Sequence, residues 1–88
     1  MWQIVYEKTA IFAMQKFDPS IRRTIDDRLT WFAEHFENLT PLPLTGELRG
    51  YFKFRIGDFR AIYTVDWNNK IIFVRTVGKR DDVYKNFP

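Results

Sequence analysis

The clearest structural pattern in the chain lies in LRGYFKFRIGDFRAIYTVD, residues 48–66. Apolar and polar residues alternate in it with a period of two, which is the pattern of β-strands whose two faces differ. The turn IGD, residues 56–58, divides it into two antiparallel strands, predicted over residues 48–56 and 59–66. In the first strand, one face carries Phe52, Phe54 and Ile56, and the other carries Tyr51, Lys53 and Arg55. One face of this hairpin is suited to burial, and the other presents cations.

Further elements are predicted on both sides of the hairpin. Alternation in WQIVYEKT, residues 2–9, predicts a first strand, and a short helix is expected over residues 10–17. A longer helix is predicted from Pro19 to about Phe36, because apolar residues recur every three or four positions. Asp18 stands at its N-cap position, and NLTPLPLTGE, residues 38–47, ends it. A last strand is predicted over residues 70–77, after a turn in which Asn68 and Asn69 tolerate positive φ.

This order of elements predicts the fold class. It is α+β, with the order β-α-α-β-β-β and both helices on one face of a small, mainly antiparallel sheet. At 88 residues the chain has room for one domain, predicted to span residues 1–88.

Composition excludes several classes of function. The chain has no cysteine, which excludes disulfides, thiolate zinc sites and thiol catalysis, and favours the reducing cytoplasm. No apolar run has the length of a signal peptide or of a membrane span, so no membrane association is expected.

Positive charge is concentrated in the second half. Residues 1–48 contain five Lys or Arg and seven Asp or Glu, a net charge of −2, whereas residues 49–88 contain nine and four, a net charge of +5. Clustered cations favour a polyanionic partner, either a nucleic acid or an acidic protein segment.

The segment VGKRDDVYKNFP, residues 77–88, adds Lys79, Arg80 and Tyr84 just beyond the last strand. We expect Arg80 to converge with Lys53, Arg55 and Arg60 in a strongly positive site without a histidine or a carboxylate pair. Such a site lacks the groups for His or Glu acid–base catalysis, for nucleophilic triads and for metal hydrolysis, so no cofactor or metal is predicted. The site remains suited to the cleavage of RNA. In that reaction the ribose 2′-OH is the nucleophile, and the protein supplies alignment and charge.

Two motifs carry a family resemblance. GDFRAIY, residues 57–63, followed by VGKRDDVY, residues 77–84, resembles the second half of the RelE toxins of bacterial and archaeal toxin–antitoxin pairs, within the RelE/ParE superfamily. The first half is similar only in its strand–helix–helix outline. The resemblance implies the RelE-like microbial RNase fold and an endoribonuclease that cuts mRNA in the ribosomal A site. It also implies a cognate antitoxin that is acidic and partly disordered, and contact with DNA only through the toxin–antitoxin complex.

The resemblance also implies roles for single residues. Lys53 would accept or relay the 2′-OH proton, Arg60 would stabilise the phosphate, and Arg80 would act near the leaving 5′ oxygen. Tyr84 would stack on or orient a base, and Tyr51, Arg55 and Lys79 would contact RNA. Many RelE toxins have a further lysine where this chain has Tyr51, which leaves the identity of the general base open.

Alternative interpretations remain at this point. The cations could be ordinary charges on a solvated face, with Arg60 and Arg80 in ion pairs with Asp58, Asp81 or Asp82. Among functions, the alternatives are a ParE-like inhibitor of DNA gyrase, which needs no catalytic cations, and a decayed relative that only binds an antitoxin.

Overall fold

The computed structural model describes residues 1–85 and Phe87 as two helices on one five-stranded sheet. The elements in chain order are β1 (Gln3–Tyr6), α1 (Lys8–Met14), α2 (Pro19–Glu34), β2 (Leu42–Pro43), β3 (Phe52–Ile56), β4 (Phe59–Asp66) and β5 (Ile71–Lys79). Single 3₁₀ turns lie at Phe36–Asn38 and Gly46–Leu48. The strand order is β1-β5-β4-β3-β2, and β1 runs parallel to β5 whereas the other neighbours are antiparallel.

Helix α2 covers the sheet with a single apolar face. Its buried residues are Ile25, Leu29, Phe32 and Ala33, which recur at helical spacing. Pro19 occupies the first turn, where its missing N–H leaves no helical bond unmade. Asp18 is the N-cap residue as predicted, but its side chain makes no capping hydrogen bond.

Aromatic rings join the helices to the hairpin. Phe32 stacks on Phe54 with ring centroids 4.1 Å apart and meets Tyr63 edge-on at 5.2 Å. Tyr63 is 1% exposed, and its hydroxyl has no hydrogen-bond partner among the described residues. Burial raises the pKa of Tyr63 above its ordinary value, because the phenolate would lose its hydration.

The predicted fold class is confirmed, and the β4 bounds, residues 59–66, were predicted correctly. The strand predicted over residues 48–56 begins later, at Phe52, since a 3₁₀ turn and Gly50, at φ +98°, precede it. Helix α1 begins and ends earlier than predicted, and β2 falls within the segment that was expected to be irregular. In the turn before β5, Lys70 rather than either asparagine adopts positive φ, at +56°.

Among the residues that the structure describes, neither helix is long and apolar enough to cross a membrane.

Candidate functional site

Three cations lie together on the sheet face that is turned away from the helices, which we call the cationic face. Lys53 and Arg55 share this face because they alternate along β3 with Phe54, which is half-buried against the core. Arg60 shares it because it pairs directly with Arg55 across the β3–β4 hairpin. The Cα atoms of such a pair lie about 4.5–5.5 Å apart, and alternate residues along a strand lie about 6.5–7 Å apart. The predicted neighbourhood of Lys53, Arg55 and Arg60 is therefore present.

Among the residues that the structure describes, the cations of this face have no acidic partners. The ion pairs within residues 1–85 are Lys70 with Glu37, Arg75 with Glu7, and Lys85 with Asp82, at 3.4, 3.4 and 3.1 Å. None of them involves Lys53, Arg55 or Arg60, so the described carboxylates leave this charge uncompensated. The Nε atom of Arg60 is buried and lacks a hydrogen-bond partner among the described groups. Buried donors are rarely left unpaired, which makes this arginine a candidate for a role other than packing.

The C-terminal turn, residues 80–85, rests on the same face beside Arg60. It begins where the Arg80 N–H donates to the Asp58 carbonyl oxygen at 2.9 Å, beside the β3–β4 turn. Val83 then packs on Gly78, and a Cβ added at Gly78 would lie 3.3 Å from the Val83 Cα. Gly78 pairs with Arg60, so Val83 rests on the cationic face next to Arg60. Tyr84 follows Val83 in the turn and is half-buried, whereas the Arg80 side chain is exposed.

Two further cations of the basic half lie elsewhere. Lys79 pairs with Phe59 at the end of β5 and lies on the face of the sheet that carries the helices, where it lines a groove. The structure therefore does not bring Lys79 to the cationic face. The Arg75 side chain bonds to the Thr64 hydroxyl at 3.2 Å and to Glu7, which commits it to joining β5 to its neighbours.

A groove of about 900 Å³ runs between α1, the end of β5 and the C-terminal turn. Phe12, which is 62% exposed, projects into it, and the Lys16 ammonium lies 4.7 Å from the Phe12 ring centroid. Lys8 and Lys79 add positive charge to its lining. β1 pairs with β5 only as far as Val74, so the end of β5 that borders this groove is a free strand edge. Sequence reasoning missed this surface, although Phe12 and Lys16 at a spacing of four were its visible signal.

The described residues contain no group of three or more His, Asp or Glu side chains placed to hold a metal ion.

Comparison with known proteins identifies the class of protein to which this chain belongs. Residues 2–84 match the family described as ParE toxin of type II toxin–antitoxin system, parDE. The chain belongs to this family of toxins. Its fold is RelE-like, as structural matches to RelE proteins show.

Individual similar proteins include several described as RelE. The chain is 36% identical over 64 residues to a protein described as toxin RelE1 of Methanocaldococcus jannaschii, an alignment that covers 62% of this chain and 71% of the relative. The toxin–antitoxin complex RelBE2 of Mycobacterium tuberculosis contains a similar fold, with a TM-score of 0.80, 22% identity, and coverage of 90% of this chain and 98% of that one. The isolated RelE toxin of Escherichia coli superposes with a TM-score of 0.70 at 20% identity, covering 90% and 84% of the two chains.

Proposed function

We propose that this toxin is a ribosome-dependent endoribonuclease that cuts mRNA in the A site. The observation that carries the proposal is the cationic face, where Lys53, Arg55 and Arg60 lie in neighbouring positions without an acidic partner among the described residues. Attack of a ribose 2′-OH on the adjacent phosphate forms a 2′-oxygen–phosphorus bond and breaks the bond to the 5′ oxygen. The products are a 2′,3′-cyclic phosphate and a 5′-hydroxyl, so the reaction needs neither a metal nor a protein nucleophile.

The proposed roles follow this reaction. Lys53 accepts or relays the 2′-OH proton, and Arg60 stabilises the charge that develops on the phosphate oxygens. Arg80 supports the leaving 5′ oxygen by its charge, since a guanidinium does not release a proton at neutral pH. Tyr84 stacks on or orients a base, as aromatic side chains do with unpaired nucleotides. Arg55 contacts a flanking phosphate.

A ParE-like inhibitor of DNA gyrase is the second candidate, because the matching family is described as ParE toxin. Inhibition by binding a protein needs no set of cations around a scissile phosphate. The unpaired Nε atom of Arg60 among the described groups and the neighbouring Lys53 therefore favour the nuclease.

We also propose a cognate antitoxin with an acidic, partly disordered segment. The similar fold from Mycobacterium tuberculosis was determined as a toxin–antitoxin complex. The groove beside α1 suits such a segment, because an exposed Phe12 lies among Lys8, Lys16 and Lys79 next to a free strand edge. An extended acidic peptide could pair with β5 there while its carboxylates meet the lysines. Lys79 is then a contact for the antitoxin rather than for RNA.

These roles define the setting of the protein. It acts in the cytoplasm, where ribosomes and mRNA are its targets, and it reaches DNA only through the complex with its antitoxin.

Controlled expression in cells distinguishes the two candidate functions. The nuclease should arrest translation and leave transcripts cut within codons, as mapped by primer extension, while plasmid supercoiling stays intact. Loss of supercoiling with intact transcripts would instead identify a gyrase inhibitor. A decayed antitoxin-binding relative would produce neither effect.

A further inference from the structure

The C-terminal turn is attached to the sheet at few points. Its own hydrogen bonds are local, with the Asp82 and Val83 N–H groups donating to the Lys79 carbonyl oxygen and the Lys85 N–H donating to that of Asp82. The Lys85–Asp82 ion pair joins two exposed side chains within the turn. Contact with the sheet comes from Arg80 at one end and from Val83 in the middle. Short segments with few buried contacts open readily unless something else holds them.

Phe87 supplies a further attachment beyond the turn. Its ring meets Tyr51 edge-on, with centroids 5.0 Å apart and an interplanar angle of 80°. Phe87 also lines the groove, as Thr76 of β5 does. Its ring therefore lies between β5 and Tyr51, the residue that precedes β3. Ile62 belongs to β4, the strand between β5 and β3, and lies on the cationic face beside Lys53 and Thr76. Its side chain is fully buried, so this part of the cationic face is covered.

We propose that Tyr51 and Phe87 form an aromatic clasp that holds the C-terminal turn across the cationic face. The clasp holds the chain just after the turn, whereas the Arg80 N–H holds the start of the turn and Val83 holds its middle. Tyr84 lies between these attachments and is thereby positioned toward Lys53 and Arg60. Tyr51 and Phe87 are positioning residues that act through Tyr84 and Arg80, and this role rests on the proposed nuclease function.

The geometry favours positioning by rings rather than by charge. An edge-to-face contact at this separation is the preferred arrangement of two aromatic side chains. It orders a chain segment without adding charge beside the cations that would bind phosphate. Tyr51 therefore contributes a ring at a place where a further cation would have repelled Lys53, two residues away on the same face.

Hydrogen exchange tests the clasp without any nuclease assay. In Phe87→Ala, the Val83 and Lys85 amides should exchange about 5- to 10-fold faster than in the wild-type protein, because the turn opens more often. Tyr51→Ala should have the same effect, and the double variant should be no faster than either single variant. Phe87→Tyr should restore wild-type exchange, and Ile11→Ala, which removes an exposed apolar side chain of α1 outside the groove, should leave it unchanged. Unaltered exchange in Phe87→Ala, or additive effects in the double variant, would overturn the clasp.

Cleavage kinetics on translating ribosomes test the positioning role. Phe87→Ala should lower kcat by about 10- to 100-fold and change KM by less than about twofold, since misplaced groups affect the transition state more than binding. Phe87→Tyr should restore kcat. Faster exchange with undiminished cleavage would overturn the positioning role while leaving the clasp in place. Wild-type protein that cuts no mRNA would contradict the proposed function and the positioning role together, and the exchange measurement would still decide whether the clasp exists.

Discussion

Arg55 and Arg60 face each other directly across the β3–β4 hairpin. Like charges at opposed positions destabilise a sheet, because their repulsion is felt in the folded state and relaxed in the unfolded chain. No carboxylate of the described chain forms an ion pair with either arginine. Under the proposed function, a phosphate of the RNA would supply the negative charge that this pair lacks.

Replacing one member of this pair should separate stability from function. Arg55→Thr introduces a β-branched residue, which suits a strand, and removes the repulsion, so the free energy of unfolding should rise by about 0.2–0.5 kcal/mol at low salt. The same change should weaken binding to ribosomes. Thermal unfolding and binding measured at two salt concentrations check both effects, and Arg23→Thr on the exposed side of α2 is the matched control. A less stable Arg55→Thr variant would contradict this account of the pair.

Lys53 is expected to transfer a proton rather than only to supply charge. Lys53→Arg keeps the charge but cannot release a proton at neutral pH, so single-turnover cleavage should slow by about 100-fold or more. Lys53→Met should slow cleavage at least as much and should also weaken binding. Quench-flow cleavage together with a ribosome-binding assay separates these effects. A Lys53→Arg variant with full cleavage activity would limit Lys53 to an electrostatic role.

Replacing Tyr63 and Tyr6 by phenylalanine should have different effects on the free energy of unfolding. The buried Tyr63 hydroxyl has no partner among the described residues, so Tyr63→Phe should leave the free energy of unfolding unchanged or raise it by up to about 1 kcal/mol. The Tyr6 hydroxyl donates to Asp26 Oδ1 at 2.5 Å, so Tyr6→Phe should lower it by about 1 kcal/mol. Denaturant unfolding at neutral pH measures both values.

The pH dependence of unfolding extends this comparison. Burial raises the pKa of Tyr63, and burial together with the Asp26 hydrogen bond raises the pKa of Tyr6. The folded state therefore keeps both phenolic protons to higher pH than the unfolded chain, and the free energy of unfolding should fall as the pH rises above about 10. Tyr63→Phe should make this fall less steep. An equally steep fall in that variant would show that Tyr63 does not contribute to it.

Phe12 should matter for the antitoxin and not for the chemistry. Its side chain is largely exposed, so Phe12→Ser should fold normally, and it should bind the copurified antitoxin of the native host about tenfold more weakly. Cleavage in the absence of antitoxin should be unchanged. Ile11→Ser, which alters an exposed residue of α1 outside the groove, is the control. Equal antitoxin affinity in the two variants would place the antitoxin on another surface.

The hairpin could be predicted from sequence because its signals are local. Alternation fixes which face each residue takes, and the short turn at Gly57 fixes the pairing of Arg55 with Arg60. The parallel pairing of β1 with β5 could not be predicted in this way, since it joins residues almost seventy positions apart. The clasp was also hidden, because nothing in the local pattern relates Tyr51 to Phe87. Lys79 pairs with Phe59 at the end of β5, and this register turns it toward the groove.

Primer extension on mRNA, with purified toxin in the presence and absence of translating ribosomes, tests the nuclease proposal most directly. Wild-type protein should cut mRNA within the A-site codon only when ribosomes are present. Arg60→Ala should cut at least about 100-fold more slowly while remaining folded, and Arg23→Ala should cut at the wild-type rate. Wild-type cleavage by Arg60→Ala, or intact mRNA on ribosomes treated with active toxin, would contradict the assignment of the cationic face as the catalytic site.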